Sequence, residues 1–233
     1  MSGGKLAVGP RWLYQAKTVD TTMRSLRWLA RSRGREDASG IRILFYHRVS
    51  RDNDELAIAP EKFARQMREL ARGDWTALDI ASVARALESG ADVSRLVGLS
   101  FDDGYQDIAD HAVPVLREQG FSATVFIVTG VTDGRAQFSW YDVQPPLMDW
   151  DTIRALDADG VLRFEPHTVT HPNLLQLPDE DARREIADSK TELEERLGRQ
   201  TDTFCYPAGL FGPRERALAT GPAALPDGAQ PRA

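Results

Sequence analysis

The chain is poor in cysteine, in histidine and in long apolar runs. Its 233 residues contain one cysteine, Cys205, and four histidines. A lone cysteine excludes an internal disulfide and says little about compartment. No apolar stretch approaches the ~18 residues of a membrane span. The opening residues, MSGGKLAVGPRWLYQ, lack the apolar core of a secretory signal. The expected location is therefore cytoplasmic. A Gly-rich phosphate loop is also missing, so phosphate transfer is not expected. Excess positive charge is absent too: a net charge of −6 argues against non-specific nucleic-acid binding.

What is present is ordinary in bulk. Hydrophobic residues make up 42% and charged residues 27%, typical of soluble globular chains. The length suits one large domain with its own core. The charge is uneven. Residues 1–40 hold eight Lys/Arg against three acids, a net of +5, which leaves −11 for the remainder. Within them, 20–35 (DTTMRSLRWLARSRGR) places Met23, Leu26 and Leu29 or Ala30 on one helical face among arginines. This basic N-terminal extension is expected to cover one end of the fold, to be a loose tail, or to touch a membrane surface weakly.

From residue 41 strands and helices alternate. Ile41–Val49 reads as a strand, and Phe63, Met67 and Leu70 mark a helix from Pro60 to Gly73. Trp75–Leu78 is a short strand, and Asp79 is suited to cap a helix carrying Ile80, Val83 and Leu87. Leu96–Phe101 is the next strand. Ile108, Ala112, Val115 and Leu116 mark a helix in which Pro114 implies a kink or a late start. Ala123–Val128 and Val161–Glu165 are strands around a helix ended by Gly160, and Ile186, Leu193 and Leu197 line a helix ended by Gly198. Thr203–Tyr206 is expected to be a sixth strand. This order implies an α/β fold with a parallel sheet, in a barrel or an open form. Both forms put their chemistry at the carboxyl ends of the strands.

Asp102 and Asp103 stand side by side at such an end, in 100-SFDDGY-105. Adjacent carboxylates repel, so something must hold them. Two histidines lie four apart in 165-EPHTVTHPNL-174. Thr170 and Pro172 disfavour a helix there, so His167 and His171 belong to a loop or single turn after a strand. Alone that spacing is a weak signal. One aspartate plus two histidines is a common ligand set for a divalent transition metal. A cation would also offset both carboxylate charges, one as ligand and the other as a base beside it. His111 falls inside a helix and is expected on its surface.

These residues resemble the motifs of the polysaccharide deacetylases, the NodB-homology proteins of carbohydrate esterase family 4. SFDDGY resembles their first motif, EPHTVTHPNL their second and 203-TFCYPAG-209 their third. The resemblance covers residues 41–212. It implies a distorted (β/α) barrel and a metal-dependent hydrolase that removes N-acetyl groups from amino sugars. By position it implies Asp102 as general base, and Asp103, His167 and His171 as ligands of a divalent ion, most simply zinc. It implies substrate contacts from Tyr206 and Pro207, with Tyr105 beside the aspartates and His47 of FYHRV, the last being structural in the alternative. An N-acetylated carbohydrate is the expected partner, and no protein partner is expected.

The family pattern is departed from twice. Cys205 stands where many members carry an arginine. Members also continue through a Trp/Asp motif and a Leu-x-His motif with the general-acid histidine, whereas 213–233 is expected to be an irregular, Ala/Gly/Pro-rich tail. The expectation is a chain truncated or frame-shifted near residue 212, with an open barrel and impaired turnover on amides. The alternatives are a metal- or glycan-binding homologue without turnover, and a hydrolase of another amide or ester, such as peptidoglycan or xylan acetate.

Overall fold

The computed structural model describes residues 41–220. The expected basic helix within 20–35 and residues 221–233 lie outside them. Five parallel strands form the main sheet: β1 (Arg42–Tyr46), β4 (Thr76–Leu78), β5 (Leu96–Asp102), β6 (Ala123–Ile127) and β7 (Leu162–Pro166). Two short strands, β2 (Arg48–Val49) and β3 (Ala57–Ile58), pair separately. β5 is the spine. One edge pairs with β1, Arg42 to Tyr46 against Val97 to Phe101. The other edge is shared, with β4 against Leu96–Gly98 and β6 against Ser100–Asp102. β7 completes the sheet on β6. Val97, Leu99, Phe101, Val125 and Ile127 are fully buried, as expected of parallel strands covered on both faces.

The helices follow the apolar spacing. α1 (Pro60–Arg72) buries Phe63, Met67 and Leu70 and ends at Gly73. α2 (Ile80–Glu88) is capped by Asp79, whose carboxylate accepts from Ser82 N at 2.9 Å. A π-type turn (Ile108–Ala112) precedes α3 (Val113–Gln119), with Pro114 in the helix's first turn. Proline tolerates that place because its missing N–H is an orphan there, so the late start is realised and the kink is not needed. A one-turn helix, α4 (Thr129–Thr132), follows β6. α5 (Trp150–Asp159) and α6 (Asp179–Leu197) end at Gly160 and Gly198.

Three expectations are corrected. The run Ile41–Val49 is two strands broken at His47. Asp107 causes the break: its carboxylate accepts from Val49 N and from Arg48 Nε, both at 2.9 Å, and turns the chain off the sheet. Thr203–Tyr206 is not a strand. Its start is held by a side chain and not by a strand ladder: the fully buried Glu165 carboxylate accepts from Asp202 N and Thr203 N, each at 2.8 Å. Cys205 N donates to Pro166 O at 3.3 Å. Residues 213–220, expected to be irregular, form α7 (Pro213–Thr220). Pro213 starts it, the buried Glu215 carboxylate accepts from Gly212 N, and Arg214 donates to the carbonyls of Leu174 and Leu177.

Glu165 thus holds the 201–206 segment in place of a strand ladder, and it also faces Arg199 and Arg163 at 3.2 and 2.9 Å. Removing a buried, paired carboxylate leaves its partners uncompensated. Glu165→Ala is expected to cost about 3–5 kcal/mol. Asp202→Ala, which loses only partly exposed ion pairs with Arg163 and Arg85, is expected to cost less than about 1 kcal/mol. Urea midpoints of the two variants, compared at equal m-value, check this; equal shifts would refute the role given to Glu165.

Candidate metal centre and active site

The sheet brings three strand ends together. His47 directly follows β1, Asp102 ends β5 with Asp103 next, and His167 directly follows β7. Asp103 takes a left-handed backbone, φ 72°, a region where aspartate is over-represented among non-glycine residues. Gly104 follows with φ 78°. A Cβ there would lie 2.5 Å from Ile127 Cδ1, so conformation and space both demand glycine. Behind this turn the backbone of 146–148 crosses, with Gln106 N on Pro146 O and Met148 N on Gly104 O.

The second strand end is more strained. Thr168 and His171 both have left-handed backbones, φ 69° and 61°. Three sets of bonds hold them. Thr168 O and Val169 O accept from Thr129 N and Gly130 N. Gly130 permits that approach, since a Cβ would sit 2.7 Å from Val169 O. Glu185 of α6 accepts from Val169 N, Thr170 N and Thr170 Oγ1, and Thr168 Oγ1 accepts from His171 N. The H-x-x-x-H segment is the loop that its proline and threonines predict.

The side chains converge on Asp103. Tyr105 donates to Asp103 Oδ2 at 3.2 Å. Asp103 Oδ1 is buried with no hydrogen-bond partner among the described residues. His167 Nε2 and His171 Nε2 lie 3.9 and 3.8 Å from it, beyond hydrogen-bonding range. His167 Nδ1 pairs with Cys205 O at 2.8 Å. An Nδ1–H donating there leaves the Nε2 lone pair free and aimed inward. Burial holds the His167 imidazole down at about 4 and pushes that of His171 well below its usual value, with His167 adding to the latter. Both rings are neutral at pH 7, and burial, then Asp102, pushes the Asp103 carboxyl well up. Two free imidazole lone pairs around an unpartnered carboxylate oxygen are a cation site by donor chemistry. Ligands ~2.0–2.2 Å from one ion stand at separations like these.

Asp102 sits beside this group, 15% exposed. Burial raises its carboxyl to about 7, opposed by a weak bond from Cys205 Sγ at 3.9 Å. His47 Nε2 lies 3.8 Å from Asp102 Oδ2, and His47 Nδ1 is buried without a hydrogen-bond partner among the described residues. Burial lowers the His47 imidazole to about 4. Arg48, bonded to Asp52, Asp54 and Asp107, anchors the backbone next to it.

Asp102, Asp103, His167, His171 and His47 are therefore brought together. Tyr105 is fully buried and donates to Asp103, which suits it to orient that carboxylate. Pro207 is buried at the start of a 3₁₀ turn. Tyr206 stacks on Phe211 at 4.5 Å and packs with Phe204 in a second small apolar cluster. His111 is exposed in the π turn. Sequence reading missed Phe138 and Trp140, whose rings stand 5.9 and 4.9 Å from that of His171. Their stretch has no periodicity to betray them. It also missed the Cys205 carbonyl, since a backbone contact leaves no residue-type signal.

Comparison with known proteins agrees with the site. The polysaccharide deacetylase family profile matches residues 89–220. The chain belongs to the polysaccharide deacetylase family. YxkH of Bacillus subtilis (strain 168), whose name places it among polysaccharide deacetylases, is 27% identical over 76% of this chain and 59% of its own length. The poly-β-1,6-N-acetyl-D-glucosamine N-deacetylase of Staphylococcus aureus (strain MRSA252) is 22% identical over 72% of this chain and 59% of its own. The chain thus spans less than two thirds of these curated relatives. The Streptococcus pyogenes deacetylase PplD, solved in complex with acetate, superimposes with a TM-score of 0.68 at 26% identity, covering 77% of this chain and 78% of that one. The fold is thus of the distorted (β/α) barrel type of these deacetylases. The family is metal-dependent, and Asp103, His167 and His171 are a group in this member that could hold the ion, their donor atoms within 4.8 Å of one another.

A cation in this group should stabilise the fold by mass action, about 2.7 kcal/mol at a hundredfold excess over Kd. Its ligands must be deprotonated, so the gain in Tm on adding Zn²⁺ is expected to be larger at pH 8 than at pH 5. Asp103→Ala, His167→Ala and His171→Ala are each expected to abolish the gain and the bound metal. Thermal melts with metal analysis check this, and retention of full metal by all three would refute the assignment.

Proposed function

We propose that this chain is a zinc-dependent hydrolase that removes N-acetyl groups from the amino sugars of a polysaccharide or oligosaccharide. The observation that carries the reading is the unpartnered, buried Asp103 oxygen between two neutral imidazoles, with Asp102 beside it. The relatives' names support the substrate class, an N-acetylated glucosamine polymer in the case of the Staphylococcus aureus protein. A divalent cation at Asp103, His167 and His171 would polarise the acetamide carbonyl and stabilise negative charge developing on its oxygen.

The chain's own groups then divide the proton work. Asp102 takes the proton of the attacking water, and a carboxyl held up near 7 is well matched to that task at neutral pH. An amide nitrogen leaves only when protonated. We assign delivery of that proton to His47, whose Nε2 is 3.8 Å from Asp102 Oδ2, a distance that needs a bridging water or a small side-chain shift. Tyr105 fixes Asp103 so that its other oxygen faces the two histidines. Phe138 and Trp140 wall the His171 side with apolar surface.

Acetate release from N-acetyl chito-oligosaccharides, with and without a chelator, tests the reading. Asp102→Asn is expected to keep its metal and lose ~10²–10⁴-fold in rate. The base acts when deprotonated, so the rate should rise with pH through the Asp102 pKa. His47→Ala should lose amide turnover by a similar factor and retain more activity on an aryl acetate, whose leaving group needs no proton. Undiminished acetate release by Asp102→Asn would remove the base from the scheme.

A further inference from the structure

A second donor set shares this cavity. Asp102, His167 and Cys205 offer ligand atoms that lie within 4.8 Å of one another. We propose that this set binds a thiophilic divalent cation, of which Cd²⁺ is the probe, as an alternative to the Asp103, His167 and His171 set.

The thiol is placed by its backbone and is not a loose surface group. Cys205 N donates to Pro166 O, and Cys205 O receives His167 Nδ1. Both bonds come from the strand end that carries the shared histidine. Cys205 Sγ lies 3.9 Å from Asp102 Oδ1, a weak contact for a hydrogen bond and a fitting separation for two ligands of one ion. The unpartnered Asp103 Oδ1, 1% exposed as a residue, sits 3.9 Å from the shared imidazole's Nε2, so the cavity favours a positive charge whichever set is filled.

Donor chemistry separates the two sets. One offers a carboxylate and two imidazoles, the other a carboxylate, an imidazole and a thiolate. Soft ions prefer the thiolate. Coordination replaces the S–H bond by a sulfur–metal bond and releases the proton to solvent, with no change of oxidation state. Because Nδ1 of His167 is held by the Cys205 carbonyl, Nε2 is its one nitrogen for either ion, and the two sets compete. A soft cation in the second set also occupies an Asp102 oxygen. If Asp102 is the base, as the proposed function has it, such an ion inhibits by taking the base as well as the histidine.

The test is titration of the chelator-stripped full chain with Cd²⁺, followed by the thiolate-to-cadmium charge-transfer absorption in the ultraviolet. The band is expected to saturate near one equivalent in the parent. It should vanish in Cys205→Ser and Cys205→Ala, with the midpoint for Cd²⁺ displaced by more than the ~10–100-fold that loss of an outer-shell partner costs. It should survive in His171→Ala, which retains the whole second set and reports on Cys205 even if neither cysteine variant folds. No band in the parent, or its loss in His171→Ala, would overturn the proposal. The absorption is read whether or not the chain releases acetate, so failure of the deacetylase reading leaves this result independent.

Discussion

One carboxylate oxygen organises the site. Asp103 is buried, its second oxygen is tied to Tyr105, and its first meets no donor among the described residues. An ionised carboxylate without a partner in such surroundings is costly. The neighbouring groups do not relieve it: both imidazoles are neutral and Asp102 adds a like charge. Each of these features is unfavourable alone and favourable around a cation. The local electrostatics therefore make sense as a site whose remaining charge is supplied from outside the chain.

Holding that arrangement takes backbone strain. Asp103, Thr168 and His171 all adopt left-handed conformations that side chains other than glycine rarely take. Such residues persist when their surroundings over-determine them. Here the surroundings are specific. Gly104 and Gly130 let Ile127 and Val169 approach, Glu185 collects the amides of the histidine loop, and Glu165 collects those of the segment bearing Cys205. The two glutamates act alike. Each replaces ladder partners with one acceptor group, which frees the chain to follow the site and not the sheet.

That substitution also explains what the sequence could and could not reveal. β5 and β6 are buried on both faces and read as continuous apolar runs; the helices show their spacing and stop at Gly73, Gly120, Gly160 and Gly198. The aspartate and histidine motifs are local and stand at strand ends, so they were legible. The failures are long-range. Thr203–Tyr206 has strand-like residues, but Glu165, 37 and 38 positions earlier, takes the amides of Asp202 and Thr203, and Pro166 O takes that of Cys205. Ile41–Val49 was cut by Asp107, almost sixty residues away. Tyr105 lies next to the aspartates in sequence, and only packing shows that it points inward. Residues 213–220 lack apolar periodicity and are held as a helix by the contacts of Arg214 and Glu215.

The adjacent aspartates show how one site obtains two chemistries from one residue type. Strand geometry sends neighbouring side chains to opposite sides, and Asp103, just past the end of β5, has a left-handed backbone. Asp103 is sealed and tied by a phenol; Asp102 stays partly open, with a thiol and an imidazole at 3.9 and 3.8 Å. A cation held by Asp103 compensates that burial directly. It acts on Asp102 mainly through space, lowering a carboxyl that burial has raised. One external charge can thus make a ligand of Asp103 and keep Asp102 deprotonated. The separation of roles rests on environment, with sequence adjacency serving to bring both within reach of the same ion.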